Sequence, residues 1–427
     1  MIVNFVQHDV TALAEPTNKQ TKLSARLLLV LAGLVFGCIV SELMLRAIGY
    51  SYPLFYVTDY DRGYAPQRGQ EGWSWLENKT YLRFSSEGFR DREHTKAKPA
   101  GTIRIAVLGD SYAEARQVPI EQTFWAVMEK QLQGCRAFAG SNVEVINFGV
   151  SGYGTAQELL TLRQRVWDYS PDVVLLTFTT QNDVIDNYRP LKQTEQIPYF
   201  VYQDGNLVYD SSFRSSPKYR WHDSRLFRLW GLVHDHSRLI QLIHHAQYSL
   251  RTNISDWRAK RRLSQRKQNQ SAALASQEKK DAPVGEDVEV YNIVYREPAD
   301  REWAEAWRVT EGLIGEIRNE VEQHGAKFMV VTISTDIQVF PDRAVREVFM
   351  RHIGVSNLFY PNLRLQAFVD REGIAFLDLS KPMQAYAEQN RVFLHGFGKD
   401  IGNGHWNVAG HQFAGQMMAQ RLCEGTP

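Results

Sequence analysis

An α/β fold, a parallel sheet covered by helices on both faces, is what this sequence predicts, and two observations predict it. Five short runs are apolar throughout rather than alternating, as strands buried on both faces must be. Helical stretches with an apolar periodicity separate them, so the pattern is strand and helix in turn.

The elements follow in order. "IRIAVLGD" (103–110) is a β-branched run ending in glycine, and "EQTFWAVMEKQLQG" (121–134) is a helix stopped at Gly134. "VEVINFG" (143–149) is the second strand and "TAQELLTLRQRVWDY" (155–169) the second helix. "DVVLLTFTT" (172–180) is the third strand. After a break come a helix over 305–325, a strand "AKFMVVTIS" (326–334), a helix over 361–373 and a strand "IAFLDL" (374–379). A last helix follows His411. Within the break, "IPYFVYQDGNLVYD" (197–210) signals a hairpin turning at Asp204-Gly205, and a basic, aromatic helical stretch occupies 221–250. Residues 258–283 read as an exposed helix or a disordered arm.

The chain's 427 residues, 44% of them hydrophobic, suffice for one large domain with insertions. A net charge of +1 gives no global reason to expect nucleic acid as a partner. Three cysteines form neither a disulfide scaffold nor a zinc pattern. The strongest local signal is "LLLVLAGLVFGCIVSELML" (27–45), with one charge, Glu42, behind Lys19, Lys22 and Arg26. Nineteen helical residues cover roughly the hydrocarbon of a bilayer at about 1.5 Å each. The basic flank places the tail in the cytoplasm and the body outside, periplasmic or on the outer face. Rival readings are a cleaved signal, a lipoprotein box around "VFGC", and a core helix; an uncleaved single-pass anchor fits best.

In an open parallel sheet, ligands bind beyond the carboxyl ends of the strands. Gly109, Asp110 and Ser111 follow the first strand, "NFGVSGYG" with Gly152 the second, and "QND" with Asn182 the third; His405 lies beyond the last strands. Serine, histidine and amide donors make an acyl-transfer set, the histidine taking the serine proton as the oxygen attacks an ester carbonyl. The Ser111 and Gly152 N–H groups with the Asn182 side chain form a candidate oxyanion hole, worth roughly 3–4 kcal/mol per well-placed donor.

"VLGDSYAEA", "NFGVSGYGTAQ", "QND" and "GHWNVAGH", in that order, resemble the four blocks of the SGNH, or GDSL-type, hydrolases, over about residues 84–427. "SSEGFRDRE" resembles membrane-anchored bacterial members. The resemblance implies a flavodoxin-like three-layer parallel sheet and esterase, lipase or O-acetyl-transfer chemistry. It implies Ser111 as nucleophile, His405 as base, and Ser111, Gly152 and Asn182 as oxyanion donors. Two positions depart from the family pattern. Gln181 stands before Asn182, and where an aspartate normally precedes the histidine this chain has Gly402 and Asn403. Asn403 is therefore the expected ring orienter, with Asp400 or a backbone carbonyl as alternatives. Flavodoxin-like topology also sets the ends of the first and last helices side by side, so a Cys135–Cys423 disulfide is expected.

His222, His234, His236, His244 and His245 crowd the insertion beside Asp223 and Asp235, but no spacing repeats a metal-ligand pattern, so no metal or cofactor is expected. His411 reads as a packing or capping residue, and Arg258 to Lys267 as a solvated face. The expected organisation is a cytoplasmic tail (1–26), a transmembrane anchor (27–46), an extended stem (47–98), a hydrolase domain (99–187 and 300–427) and an insertion carrying hairpin, helices and basic arm (188–299). The expected function is a membrane-anchored serine esterase removing acyl groups, by our reading acetyl, from an envelope glycan or lipid. The alternatives are an O-acyltransferase with a sugar hydroxyl as acceptor, or a decayed binding module.

Overall fold

The computed structural model describes residues 19–252, 254 and 290–425. An apolar helix, Lys19–Ala47, leads into two antiparallel hairpins, β1 (Tyr56–Asp59) with β2 (Gly63–Pro66) and β3 (Glu71–Ser74) with β4 (Thr80–Arg83). The strands of the main sheet are β5 (Thr102–Leu108), β6 (Asn142–Asn147) and β7 (Val173–Thr179), then, after the hairpin β8 (Tyr199–Gln203) and β9 (Asn206–Asp210), β10 (Lys327–Ile333) and β11 (Ala375–Asp378). Each apolar run of the sequence is one of these strands.

The main sheet is wholly parallel, in the order β11-β10-β7-β5-β6. Numbered along the chain this is 2-1-3-4-5, the flavodoxin-like order. Its third member, β7, is buried along its whole length. On one face Phe124, Trp125, Met128 and Leu132 pack with Ala414, Met418 and Leu422. On the other, Leu159, Trp307, Leu313, Ile317 and Leu365 form the larger core. Full burial of each such side chain stabilises by about 1.5–3 kcal/mol, which is why strands with no polar face are confined to the middle layer.

Helix starts follow their caps: Thr123 accepts from Ala126 N (3.3 Å), Asp300 from Trp303 N (2.9 Å), and Asn407 from Gly410 N (3.1 Å). The last helix thus begins at Val408, before His411. The expected helix over 155–169 is α-helical only over Thr155–Thr161, then widens to a π turn and tightens to 3-10. Thr161 Oγ1 donates back to Gln157 O (2.8 Å), a bond that competes with the helical ladder at the transition. Helices Arg343–Ile353 and Ser380–Asn390 are additional to the expected set. The hairpin turns at Asp204-Gly205, both in positive φ, as expected. Of the expected tail, residues 1–18 lie outside the described residues and 19–26 open the first helix; the basic arm over 258–283, including Arg258 to Lys267, also lies outside them.

Strand order reverses between β5 and β7, which part to run toward β6 and β10 respectively. A crevice opens at such a switch point, beyond the carboxyl ends. Ser111 follows β5 and Asn182 follows β7.

Candidate active site

Leaving β5, the chain turns at Gly109 and Asp110 into one helical turn, Ser111–Glu114. Asp110 is fully buried and caps that turn, accepting from Tyr112 N (2.9 Å) and from Asn182 Nδ2 (3.0 Å). Burial pushes its carboxyl up, against the pull of those two donors. One side chain therefore ties the ends of β5 and β7 together and fixes the backbone that carries Ser111.

His405 arrives from the far end of the chain on a tightly pinned loop. Gly404 N donates to Asp336 Oδ2 (2.9 Å), buried His395 donates from Nδ1 to Gly404 O (2.6 Å), and Gly396 N donates to His405 O (2.8 Å). Trp406 is fully buried, its indole N–H on Ser334 Oγ (3.0 Å). Burial holds the His395 imidazole down at about 4, so it works in this loop as a neutral donor. The pinned loop brings His405 Nε2 to 2.7 Å from Ser111 Oγ.

The other ring nitrogen corrects the sequence reading. His405 Nδ1 lies 2.5 Å from Glu77 Oε1, and His405 N donates to Glu77 Oε2 (3.1 Å). Asn403, the expected orienter, instead turns the loop, its N–H donating to Asp400 O (3.0 Å), and Asp400 closes an exposed 3-10 turn. Among the described residues the Asn403 side chain makes no bond to the ring, and the carboxylate on it comes from the β3–β4 hairpin. That hairpin is anchored beside the serine turn, with Asn78 Nδ2 and Thr80 Oγ1 both donating to Gln117 O (2.9 and 3.0 Å). Burial disfavours charge on His405, yet the Glu77 carboxylate outweighs it and raises the imidazole above its ordinary value. Reciprocally, burial would raise Glu77, but the bonds from His405 hold it below the usual carboxylate range.

Among the described residues, neither the Ser111 nor the Gly152 backbone N–H has an acceptor. Gly152 has φ +80°, and a Cβ there would meet the Tyr64 hydroxyl at 2.7 Å. Tyr64 in turn donates to Ser151 O (2.8 Å). Buried Glu114 accepts from Ser151 N (2.8 Å) and from the Tyr56 hydroxyl (2.8 and 2.6 Å), fixing the Gly152 turn to the serine helix. Asn182 is brought to the same crevice, but its amide is engaged by carboxylates, Asp110 first and Asp183 Oδ1 at 3.3 Å. Asp183 accepts from Thr179 N (2.7 Å). Beneath them Glu158 is fully buried, and both its carboxyl oxygens lack a partner among the described residues. Burial beside Asp110 and Asp186 pushes Glu158 well above the carboxylate range.

Glu77, Glu114 and Tyr56 were not legible as site residues: Glu77 and Tyr56 sit in short hairpins with no motif, and Glu114, though inside the block that carries Ser111, bears no mark of its role. Beside Gly152, a groove of about 400 Å³ is lined by Tyr56, Tyr64, Lys192, Gln196, Tyr219 and Phe227. Among the described residues the insertion histidines do not gather into a group of three or more His, Cys, Asp or Glu placed to share a metal. His234 instead contacts Asp235 and His244 (both 3.1 Å). His411 is a capping residue, accepting from Phe124 N (3.3 Å), and burial lowers it to about 3. Cys135 and Cys423 are disulfide-bonded, with 5.8 Å between their Cα atoms.

No protein-family model matches the chain, and no curated protein matches it. Among solved structures, the acetyl xylan esterase AlAXEase is similar at 13% identity and TM-score 0.36, over 75% of this chain and 100% of that one. A mutant of Axe2, an acetyl-xylooligosaccharide esterase from Geobacillus Stearmophilus, is similar at 10% identity and TM-score 0.37, over 77% and 96%. A GDSL-like lipase from Bacteroides thetaiotaomicron is similar at 11% identity and TM-score 0.30, over 75% and 87%. This chain is thus similar, at low identity, to two solved esterases and to a GDSL-like lipase.

Proposed function

We propose that the chain is a serine esterase of the SGNH type that cleaves acyl esters through an acyl-enzyme. The observation that carries this reading is the line Ser111 Oγ, His405, Glu77, with contacts of 2.7 and 2.5 Å. His405 Nε2 takes the Ser111 proton as Oγ attacks the ester carbonyl. The Ser111 and Gly152 N–H groups receive the oxyanion, and Glu77 stabilises the imidazolium that forms. The imidazolium then protonates the departing alcohol, and water deacylates Ser111 by the same route in reverse. Asn182 joins the oxyanion hole by turning its second N–H from Asp183 and Asp186 to the substrate. A carboxylate on the ring supports an active enzyme over a decayed binding module.

Our reading of the substrate is an acyl ester, with acetyl as the acyl group, of an envelope glycan or lipid. The groove beside Gly152 supports a sizeable alcohol part, since its aromatic walls suit sugar faces or apolar chains and Lys192 and Gln196 supply polar ends. We read Leu23–Ala47 as the single-pass anchor, with the catalytic domain outside the cytoplasm. Among the described residues it is the one helix long and apolar enough to cross a membrane, and its length is 25 residues.

The test is release of p-nitrophenol from short acyl esters by the full chain in detergent. Wild type should turn over, and Ser111→Ala and His405→Ala should not. Wild type no faster than folded Ser111→Ala would remove the esterase reading.

A further inference from the structure

The two insertion helices carry their polarity the wrong way round for a water-facing surface. On Arg225–His236 the residues turned to the protein include, beside half-buried Phe227, two polar ones: His234 is fully buried and Asp235 accepts from Leu54 N (2.9 Å) and Gln70 Nε2 (3.0 Å). Its outward stripe is Leu226, Leu229, Trp230 and Val233, at i, i+3, i+4 and i+7, exposed by 69%, 59%, 39% and 49%. The next helix, over 238–252, repeats the inversion. Gln241 is fully buried, bonding Tyr52 N (2.8 Å) and Asp235 O (3.0 Å), while Ile243 and Leu250 are 50% and 61% exposed. A helix on a water-facing surface points such a stripe inward, and so large an exposed patch marks an interaction surface.

The elbow between these helices is bonded to the end of the apolar N-terminal helix. Glu42 accepts from Arg238 N (3.0 Å), Leu239 N (2.9 Å) and Ser237 Oγ (3.1 Å), and Arg46 donates to His236 O (2.5 Å). Glu42 lies about 22 Å along the helix from Leu27. The elbow therefore sits where the apolar helix runs out, at the level where a bilayer meets water. Exposed Arg220, Arg225 and Arg251 flank the apolar stripe, as basic side chains do on helices lying in an anionic lipid surface.

We infer that the outward face of the insertion helices is embedded in the bilayer surface beside the anchor, resting the catalytic domain on the membrane. The occupant of that face is lipid. The consequence concerns substrate: Tyr219 and Phe227, which line the groove beside Gly152, belong to this same insertion. The groove therefore opens next to the lipid surface, and the ester it takes is one borne on a membrane amphiphile. This rests on the anchor reading above.

Spin-label accessibility in the full chain tests it, in vesicles of phosphatidylethanolamine and phosphatidylglycerol. Cys38→Ser removes the exposed thiol, and labels go singly at Leu229→Cys, Ile243→Cys and, in the anchor, Val35→Cys. Oxygen accessibility several-fold above that of a water-soluble nickel chelate is expected at all three. Chelate-accessible labels at 229 and 243 with a lipid-exposed label at 35 would overturn the inference and leave the anchor standing. Labels at 229 and 243 shielded from both reagents would mean that protein covers the face, which also overturns it. A label at 35 in water would take the anchor reading down with it.

Discussion

Glu77 reaches His405 past a residue that has no side chain: a Cβ on Gly404 would lie 2.9 Å from Glu77 Oε2 and 3.1 Å from Cδ. Gly404 also holds φ +89°, a conformation that costs an L-residue roughly 1–2 kcal/mol. Gly404→Ala should therefore displace the carboxylate from the ring and lower kcat by about 10²-fold, the usual cost of a misplacement near 1 Å. Kinetics on p-nitrophenyl acetate, beside a melting curve showing the variant folded, would check this. Unchanged kcat would mean that the contact is not needed for turnover.

Glu77→Gln keeps the shape of the hairpin but leaves the ring with a neutral partner and the wrong tautomer. In a serine protease triad the equivalent Asp-to-Asn change costs about 10⁴ in rate, and a loss of 10³–10⁴ is expected here. Asn403→Asp should bring no gain, because Glu77 already holds Nδ1 of the imidazole. A rate increase in Asn403→Asp would place the orienting carboxylate in the loop after all.

The pH profile follows from the same pair. The neutral His405 ring is the base, and Glu77 raises its value above the ordinary 6.5. Activity should therefore fall as pH drops through a midpoint above about 6.5, because the ring becomes protonated there. In Glu77→Gln the residual activity should show its acid limb at lower pH, since only Asp110 and Asp336 then oppose the effect of burial. A limb that stays in place would assign the titration to another group.

Glu158 offers a stability test apart from catalysis. Its folded-state value lies well above that of the unfolded chain, so between the two the folded state holds a proton that the unfolded state has released. Stability should fall as pH rises from about 4.3 into that window, by up to roughly 1.4 kcal/mol per pH unit. Glu158→Gln should flatten the decline without lowering stability at neutral pH. Urea midpoints from pH 5 to 8 give the answer, and parallel slopes in the two proteins would show that Glu158 is not the group.

The disulfide closes the helix Phe124–Leu132 against the terminal helix across a separation of 288 residues. Replacing both Cys135 and Cys423 by serine should cost about 2–5 kcal/mol of unfolding free energy. Non-reducing peptide mapping should recover the two as one linked pair; two free thiols would remove the crosslink.

By itself the sequence determined the parallel sheet, because strands buried on both faces must be apolar throughout and so announce themselves locally. It also pointed to Ser111, Gly152 and Asn182, each of which follows a strand, and to His405 through an order of blocks that resembles a known set. Tertiary structure decided what touches what. Glu77 was illegible because a carboxylate in a hairpin 328 residues from His405 differs in no local way from any exposed glutamate until the hairpin docks. Asn403 was favoured for its nearness along the chain, yet the contact on the ring is made by Glu77. The same holds for the insertion: its helices are amphipathic in sequence, but only packing reveals that the polar side faces in. Periodicity reports that a face exists, and contacts alone determine which way it is turned.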